Sequence, residues 1–534
     1  MAEDGKAEPS RSAHGRPLSP AGEHGSAGEH SPAGDHGSAG DQDSGTVGAG
    51  QAPSRPPVGD PLALEDREAV LAHAAGLILA AWRSFDHPRA GQPPVTDELR
   101  ASLEGPLPEG PQDAASVLDH AARVLDASIA QSRPRFFAYV GSSGLEVGVL
   151  ADALMASHDV NVAVEAGGAG LLEAQAVRWV AELVGFGATG GIMASGGMIS
   201  NLTALAAARE QALPGARREG ASGSRMSLVC SDEVHYSVRR AAELLGIGGA
   251  GVRAVPIDTR HRVEVAGVAD AIRRDRAEGV IPVAVVANAG STLTGAVDDL
   301  ASLAEVCAEE GVWLHVDGAY GLPAAATSTK GHLFAGLERA DSATVDAHKW
   351  MYVPKPCSVL LVRDVAALRR AFSHEETYMP HGEEAELHAV DLTLEYSRPL
   401  RSLKVWLALR VHGAAALRAA IEANLAQAAY LAGLLREHPD FELVLEPELS
   451  TVCFRHLPTG VTDADADRYH LALAGALQSD GDVYLAPARV DGRTCLRACF
   501  VNHRTTYEDV EGVLPTVTRV GAQLLDRQGP GTLR

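Results

Sequence analysis

Ser342-Ala-Thr-Val-Asp-Ala-His-Lys-Trp350 is the stretch whose reading decides the fold: a short run of small and β-branched residues that ends in an acid, a histidine and a lysine. A run this short reads as a strand with its charged groups at the carboxyl end. Outward from it, residues 312–317, 283–289 and 227–231 before it and 358–362 after it repeat the apolar pattern, separated by helical stretches at 234–245 and 298–310. Near-continuous apolar strands alternating with helices predict an α/β fold, a mostly parallel sheet covered on both faces. In such sheets ligands gather at the carboxyl ends of the strands. Helical spacing also predicts an N-terminal helical segment from residue 62 to about 130, and helices over 173–186 and 198–213. From residue 387 a long helical stretch, 400–434, followed by strands at 441–445, 451–455 and 495–501, reads as a smaller α+β domain.

Composition sets the class around this pattern. The chain has 534 residues, of which 46% are hydrophobic and 22% charged, as a globular protein requires. Single cores stop growing at roughly 250–300 residues, so more than one packed domain is expected. The division expected is a low-complexity tail over 1–60, the helical segment over 61–150, a large domain over 151–386 and a small domain over 387–534. The tail holds almost no large apolar side chains and repeats Ser-Pro-Ala-Gly-Glu/Asp-His-Gly from Ser19 and from Ser31. Its histidines could meet a metal, but a solvated tail is the simpler reading. A net charge of −23 repels a phosphate backbone, so no nucleic-acid partner is expected. Six cysteines without a C-x-x-C pair predict a reduced setting and no metal site. With no apolar leader and no run near about 18 apolar residues, the expectation is a cytoplasmic protein without a membrane partner.

Three features carry chemistry. Only five of the 46 basic residues are lysines (Lys6, Lys330, Lys349, Lys355 and Lys404), and Lys349 stands at a strand end where desolvation would favour its neutral, nucleophilic form. It is a Schiff-base candidate or a lysine snorkelling at a strand end. In His315-Val-Asp-Gly-Ala-Tyr320, Asp317 ends a strand. A carboxylate there can hold a pyridine nitrogen protonated, cap a helix or bind a metal. Ala194-Ser-Gly-Gly-Met-Ile-Ser-Asn201 opens a helix with residues small enough for backbone N–H groups to approach a phosphate, or is an ordinary capped loop.

In this order and on these elements, the three resemble the group II pyridoxal-phosphate decarboxylases, the family of aromatic amino acid, histidine, tyrosine and glutamate decarboxylases. The resemblance spans about residues 120 to 515 and is carried by Pro134-Arg-Phe-Phe-Ala-Tyr139, Ser195-Gly-Gly-Met-Ile-Ser-Asn-Leu-Thr-Ala-Leu205, Asp232-Glu-Val-His-Tyr-Ser-Val238, Ala289-Gly-Ser-Thr-Leu-Thr-Gly-Ala-Val-Asp298, His315-Val-Asp-Gly-Ala-Tyr-Gly321, the lysine strand, and Ser402-Leu-Lys-Val-Trp406. It implies the type I fold of pyridoxal-phosphate enzymes and a homodimer with active sites at the subunit interface, acting on an amino acid substrate. By resemblance Lys349 forms the Schiff base, His348 contacts phosphate, and Asp317 partners the pyridinium. Ala319 lies below the ring, His235 stacks on its other face, and Thr292 sits near the phenolic oxygen. Gly197 and Met198 match the positions whose amides hold phosphate. The activity implied is decarboxylation of an L-amino acid to the amine and carbon dioxide.

Two departures from the family pattern stand out. The family carries a tyrosine on a mobile loop, whereas Gly382-Glu-Glu-Ala-Glu-Leu-His-Ala-Val-Asp391 has none, and the matching slot falls at Ala389. His388 beside it, or Tyr378, is then the candidate proton donor. The same departure keeps open oxidative decarboxylation to an aldehyde, or amino transfer. In Val160-Asn-Val-Ala-Val-Glu-Ala-Gly-Gly168 small residues stand where aromatic-specific members place bulky ones, which predicts a tolerant pocket.

Overall fold

The computed structural model describes residues 62–64, 66–88, 95–164, 166–187, 190–221, 223–374 and 388–528. The tail over 1–60, with its histidine repeat, and Tyr378 lie outside the described residues. The chain divides into two units, Met1–Glu65 and Asp66–Arg534, and the second holds every element below.

Eleven strands are described: β1 (Gly190–Ala194), β2 (Arg225–Ser231), β3 (Val252–Val255), β4 (Val280–Asn288), β5 (Trp313–Asp317), β6 (Ser342–Val345), β7 (Ser358–Val362), β8 (Phe441–Leu443), β9 (Thr451–His456), β10 (Ala486–Val490) and β11 (Arg493–Cys499). The first seven form one sheet in the order β1-β7-β6-β5-β4-β2-β3. Neighbours from β3 through β6 pair parallel, and β7 runs antiparallel to both β6 and β1. The expected mostly parallel α/β sheet is thus present, with β7 as its one reversed strand. Register places Asn288, Asp317 and Thr344 side by side at the carboxyl ends of β4, β5 and β6.

Helices cover both faces because their inward positions are small or apolar. Gly168–Val184 buries Ala176, Val177, Val180 and Val184, whereas Gly197–Ala212 buries the run Ala204-Leu-Ala-Ala-Ala208, whose small side chains bring its axis close to the sheet. Each buried valine or leucine contributes roughly 1.5–3 kcal/mol. In β1, a Cβ on Gly191 would lie 2.3 Å from the Leu360 carbonyl oxygen of β7, so glycine is required for the two strands to approach.

The remaining strands form an antiparallel sheet, β10-β11-β9-β8. Its core joins Phe137, Leu431, Tyr469, Phe454 and Phe500. The long helix Ser402–Glu437 is interrupted at Gly413, whose φ of 79° breaks the helical path. Before it, Arg398 makes a two-pronged ion pair with Glu173 at 2.5 and 3.0 Å, fully buried on the arginine side, and pins the entry of this helix to Gly168–Val184. The helices Arg67–Phe85, Asp97–Ser102 and Ala114–Asp126 have no buried residue, and Leu71 and Leu125 are each 71% exposed. Among the described residues no helix is long and apolar enough to cross a membrane.

Candidate active site

The carboxyl ends of β4, β5 and β6 open into a cavity of about 240 Å³. Gly197, Met198, His235, Thr292, Asp317, Ala319 and Lys349 all line it, together with Asn201, Ser237, Asn288, Ser291 and Asp346. Residues spread over more than 150 positions of sequence meet here because parallel strands all deliver their ends to the same edge.

Asp317, at the end of β5, is buried and doubly held. Asn201 Nδ2 donates to its Oδ2 at 2.8 Å, and the Ala319 N–H donates to its Oδ1 at 3.2 Å. Asn201 uses its whole amide: Nδ2 also donates to Ser237 Oγ at 3.0 Å, and Oδ1 accepts from His315 Nε2 at 3.0 Å and Thr344 Oγ1 at 2.8 Å. An amide oxygen only accepts, so His315 carries its proton on Nε2. Burial lowers the pKa of His315 to about 4, against the opposing pull of Asp317, so this ring is neutral at pH 7.

His235 is the N-cap of Tyr236–Leu244, and its Nδ1 accepts from the Ser237 backbone N–H at 3.3 Å. The Ser237 hydroxyl lies 2.8 Å from the same nitrogen and donates to it, which leaves the ring proton on Nε2. Burial depresses the His235 pKa, with Asp317 opposing, so a neutral donor faces the cavity.

Lys349 departs from the expectation of a lysine neutralised by burial. Its Nζ lies 3.0 Å from Asp346 Oδ2. Burial alone would lower its pKa, but Asp346 and then Asp317 more than offset it, and the amine is held charged above its usual range. His348 does not line the cavity. Its Nδ1 donates to the Cys357 carbonyl at 2.7 Å, and its Nε2 is 3.8 Å from Asp346 Oδ2. His388 also lies outside the lining. It precedes the short turn Ala389–Leu392, whose Val390 N–H donates to the Ala163 carbonyl at 3.1 Å, within the small-residue segment read as the substrate region.

The residues present fit pyridoxal 5′-phosphate. The helix Gly197–Ala212 begins with no side-chain cap, so its first amides are open toward the cavity. A Cβ on Gly197 would lie 2.9 Å from Asp346 Oδ2 and 3.2 Å from the Ala319 Cβ, so this approach is kept clear. A buried carboxylate, a lone amine and an uncapped helix start are the donor set that a ring nitrogen, an aldehyde and a phosphate require. No group of three or more metal-ligating side chains occurs among the described residues.

Comparison with known proteins agrees. The model of the pyridoxal-dependent decarboxylase conserved domain matches residues 97–457. The chain is 32% identical to an aromatic-L-amino-acid decarboxylase of Bacillus atrophaeus over 437 residues, 80% of this chain and 90% of that relative. It is 29% identical to a cysteine sulfinic acid decarboxylase of Homo sapiens over 447 residues, again 80% and 90%. The crystal structure of Oryza sativa TDC with PLP and tryptamine superposes with a TM-score of 0.81 at 25% identity, covering 87% of this chain and 99% of that one. Mouse CSAD superposes with a TM-score of 0.79 at 26% identity, covering 85% and 98%. The protein belongs to the pyridoxal-dependent decarboxylase family, and it is an enzyme of the type I fold whose cofactor is pyridoxal 5′-phosphate.

Asn201, Ser237 and Asp346 escaped the sequence reading although each lies inside a quoted motif. A buried asparagine in an alanine-rich helix was the available signal for Asn201, since such a polar side chain must be satisfied by something in the core.

Proposed function

We propose that the protein removes the α-carboxylate of an L-amino acid, releasing the amine and carbon dioxide. The observation that carries this reading is that Lys349 and Asp317 face one cavity, with Asp317 fixed by Asn201 at 2.8 Å. Pyridoxal 5′-phosphate, when bound, supplies an electron sink for the bond broken at the substrate α-carbon. Lys349 is the amine that holds it. Asp317 would keep a proton at the ring nitrogen, and the open amides of Gly197 and Met198, with His348, would hold the phosphate. Ala319 and Thr292 would contact the ring, and His235 would offer its Nε2–H to the substrate carboxylate. Fixing the scissile bond's direction in this way is the main use of binding energy. His388 returns the proton to the α-carbon.

We further propose a cytoplasmic homodimer. The unburied N-terminal helices support a second copy as their cover, as does an apolar cavity of about 650 Å³ lined by Trp82, Leu150, Met351, Leu409 and Val411. Six free, buried cysteines suit a reducing compartment.

The test is a screen of proteinogenic amino acids, ornithine and diaminobutyrate with the cofactor-loaded enzyme, measuring carbon dioxide and amine together. Equal yields of the two support the reading. Aldehyde with hydrogen peroxide would replace it with oxidative decarboxylation, the outcome in keeping with 28% identity to a phenylacetaldehyde synthase of Arabidopsis thaliana.

A further inference from the structure

The cradle for the phosphate already contains an anion. Asp346 is 2% exposed, and its Oδ1 is buried without a hydrogen-bond partner. Both its oxygens border the uncapped start of Gly197–Ala212, 2.9 and 3.2 Å from where a Gly197 Cβ would lie. Among the described residues lining the cavity, the charged side chains are Asp317, Asp346 and Lys349, with His235 beside them and no arginine. A phosphate monoester brings about −1.5 to −2 charges at pH 7 into this space. Two anions in one buried site do not both stay fully ionised; they share a proton or recruit a cation.

Among the described residues of this chain no neighbour is free to supply that cation: Lys355, within electrostatic reach of Lys349 and His348, donates to Gln131. Lys349, 3.0 Å from Asp346, leaves the pair when it is committed to the cofactor. His348, 3.8 Å away on the same segment, is kept neutral by burial, as is His235 at the start of Tyr236–Leu244. The Cys357 thiol ahead of β7 is pushed up to about 12 by burial. Asp317, at the end of β5, adds only negative charge and is engaged with Asn201.

We propose that Asp346 and the cofactor's phosphate share one proton, taken from solvent as the cofactor loads, so that pH sets cofactor occupancy through Asp346. The inference rests on the reading of this cavity as the pyridoxal-phosphate site. The bridge balances by itself: carboxylate, phosphate dianion and one solvent proton become a single O–H···O bridge, while the bond that Lys349 forms to the aldehyde carbon, with loss of water, is common to pyridoxal and cancels in the comparison below. Because the bridge takes up a proton, the phosphate's contribution to affinity falls as pH rises.

The test is calorimetric titration of the apoenzyme with pyridoxal 5′-phosphate near pH 8, in buffers of different ionisation enthalpy, so that proton uptake is read directly. Pyridoxal, which lacks the phosphate, is the control ligand. The wild type should take up about one proton more with the phosphate ester than with pyridoxal, and Asp346→Asn should lose that difference. Between about pH 7 and about pH 9 the wild-type dissociation constant, from cofactor absorbance, should rise up to tenfold per pH unit more steeply than that of Asp346→Asn. Equal uptake for the two ligands in the wild type overturns the proposal whether or not the variant folds. Parallel pH slopes in wild type and Asp346→Asn overturn it as well. Failure of the phosphate ester to bind at all overturns the cavity assignment, and this inference with it.

Discussion

Asn201 and Asp317 are 116 residues apart in sequence and joined by a 2.8 Å hydrogen bond in the core. With the Ala319 N–H on the other oxygen, the bond fixes the orientation of the carboxylate. Because Asn201 spends its second donor on Ser237 and its oxygen on His315 and Thr344, it has no freedom to turn away. A fully satisfied amide in a low-dielectric core is a rigid mount.

Asp317→Asn should therefore retain cofactor while losing roughly 10²–10³-fold in turnover, because a neutral amide does not hold the ring nitrogen protonated. Asn201→Ala should lose less, roughly 10–100-fold, since it removes the mount and keeps the charge. Steady-state rates with cofactor content measured on the same samples check both. Wild-type turnover in Asp317→Asn would reduce that residue to a structural role.

Lys349 is the amine that borohydride reduction should trap, and peptide mass spectrometry should find the phosphopyridoxyl group there. Lys349→Ala should abolish the trapped adduct and the cofactor's visible band. An adduct on Lys330 or Lys355 would move the assignment. The pairing with Asp346 at 3.0 Å predicts in addition that this lysine is charged before loading, so that loading requires its deprotonation and slows as pH falls.

The parts of this architecture that the sequence conceals share a physical cause. Strands β2, β4, β5, β6 and β7 are interior to their sheet and apolar along their length, so their composition announces them. The three strands that went unread, β1, β3 and β10, each lie at a sheet edge. β1 opens with two glycines, β3 has only four residues, and β10 carries Pro487 and Arg489, all of them features of edges. In the site, Lys349 and Asp317 were visible because a charge at the end of an apolar run is conspicuous. Asn201 and Asp346 act through contacts that only the folded chain creates.

Buried neutral histidines give the fold an acid limit. His315, His456 and His503 all have pKa values lowered by burial to about 4, from an ordinary 6.5. Between those values the unfolded chain binds more protons than the folded one, so stability is complete above about pH 6.5 and is lost progressively as pH falls toward 4. For fully buried His315 the loss by pH 5 is roughly 2 kcal/mol. The thermal midpoint should be flat from about pH 7 to 8 and drop below about pH 6.5. His315→Asn should be less stable at pH 8 but show a shallower drop, and an unchanged slope would place the acid sensitivity elsewhere.

The proton donor is the remaining question of mechanism, and His388 is the residue proposed for it. The Val390–Ala163 hydrogen bond ties its segment to the one holding the small residues of the substrate region, so His388 is anchored beside that region while standing outside the cavity lining. Carbon dioxide leaves before the α-carbon needs its proton. Loss of the donor therefore changes what is made before it changes what is consumed. In His388→Phe, carbon dioxide release should persist within about tenfold of wild type while the ratio of amine to aldehyde falls. The measurement is product identity at matched substrate consumption, with Tyr378→Phe run in parallel. A ratio that moves only in Tyr378→Phe transfers the role to that residue. A ratio that moves in neither variant assigns the proton to Lys349 or water, and the missing loop tyrosine then has no mechanistic weight.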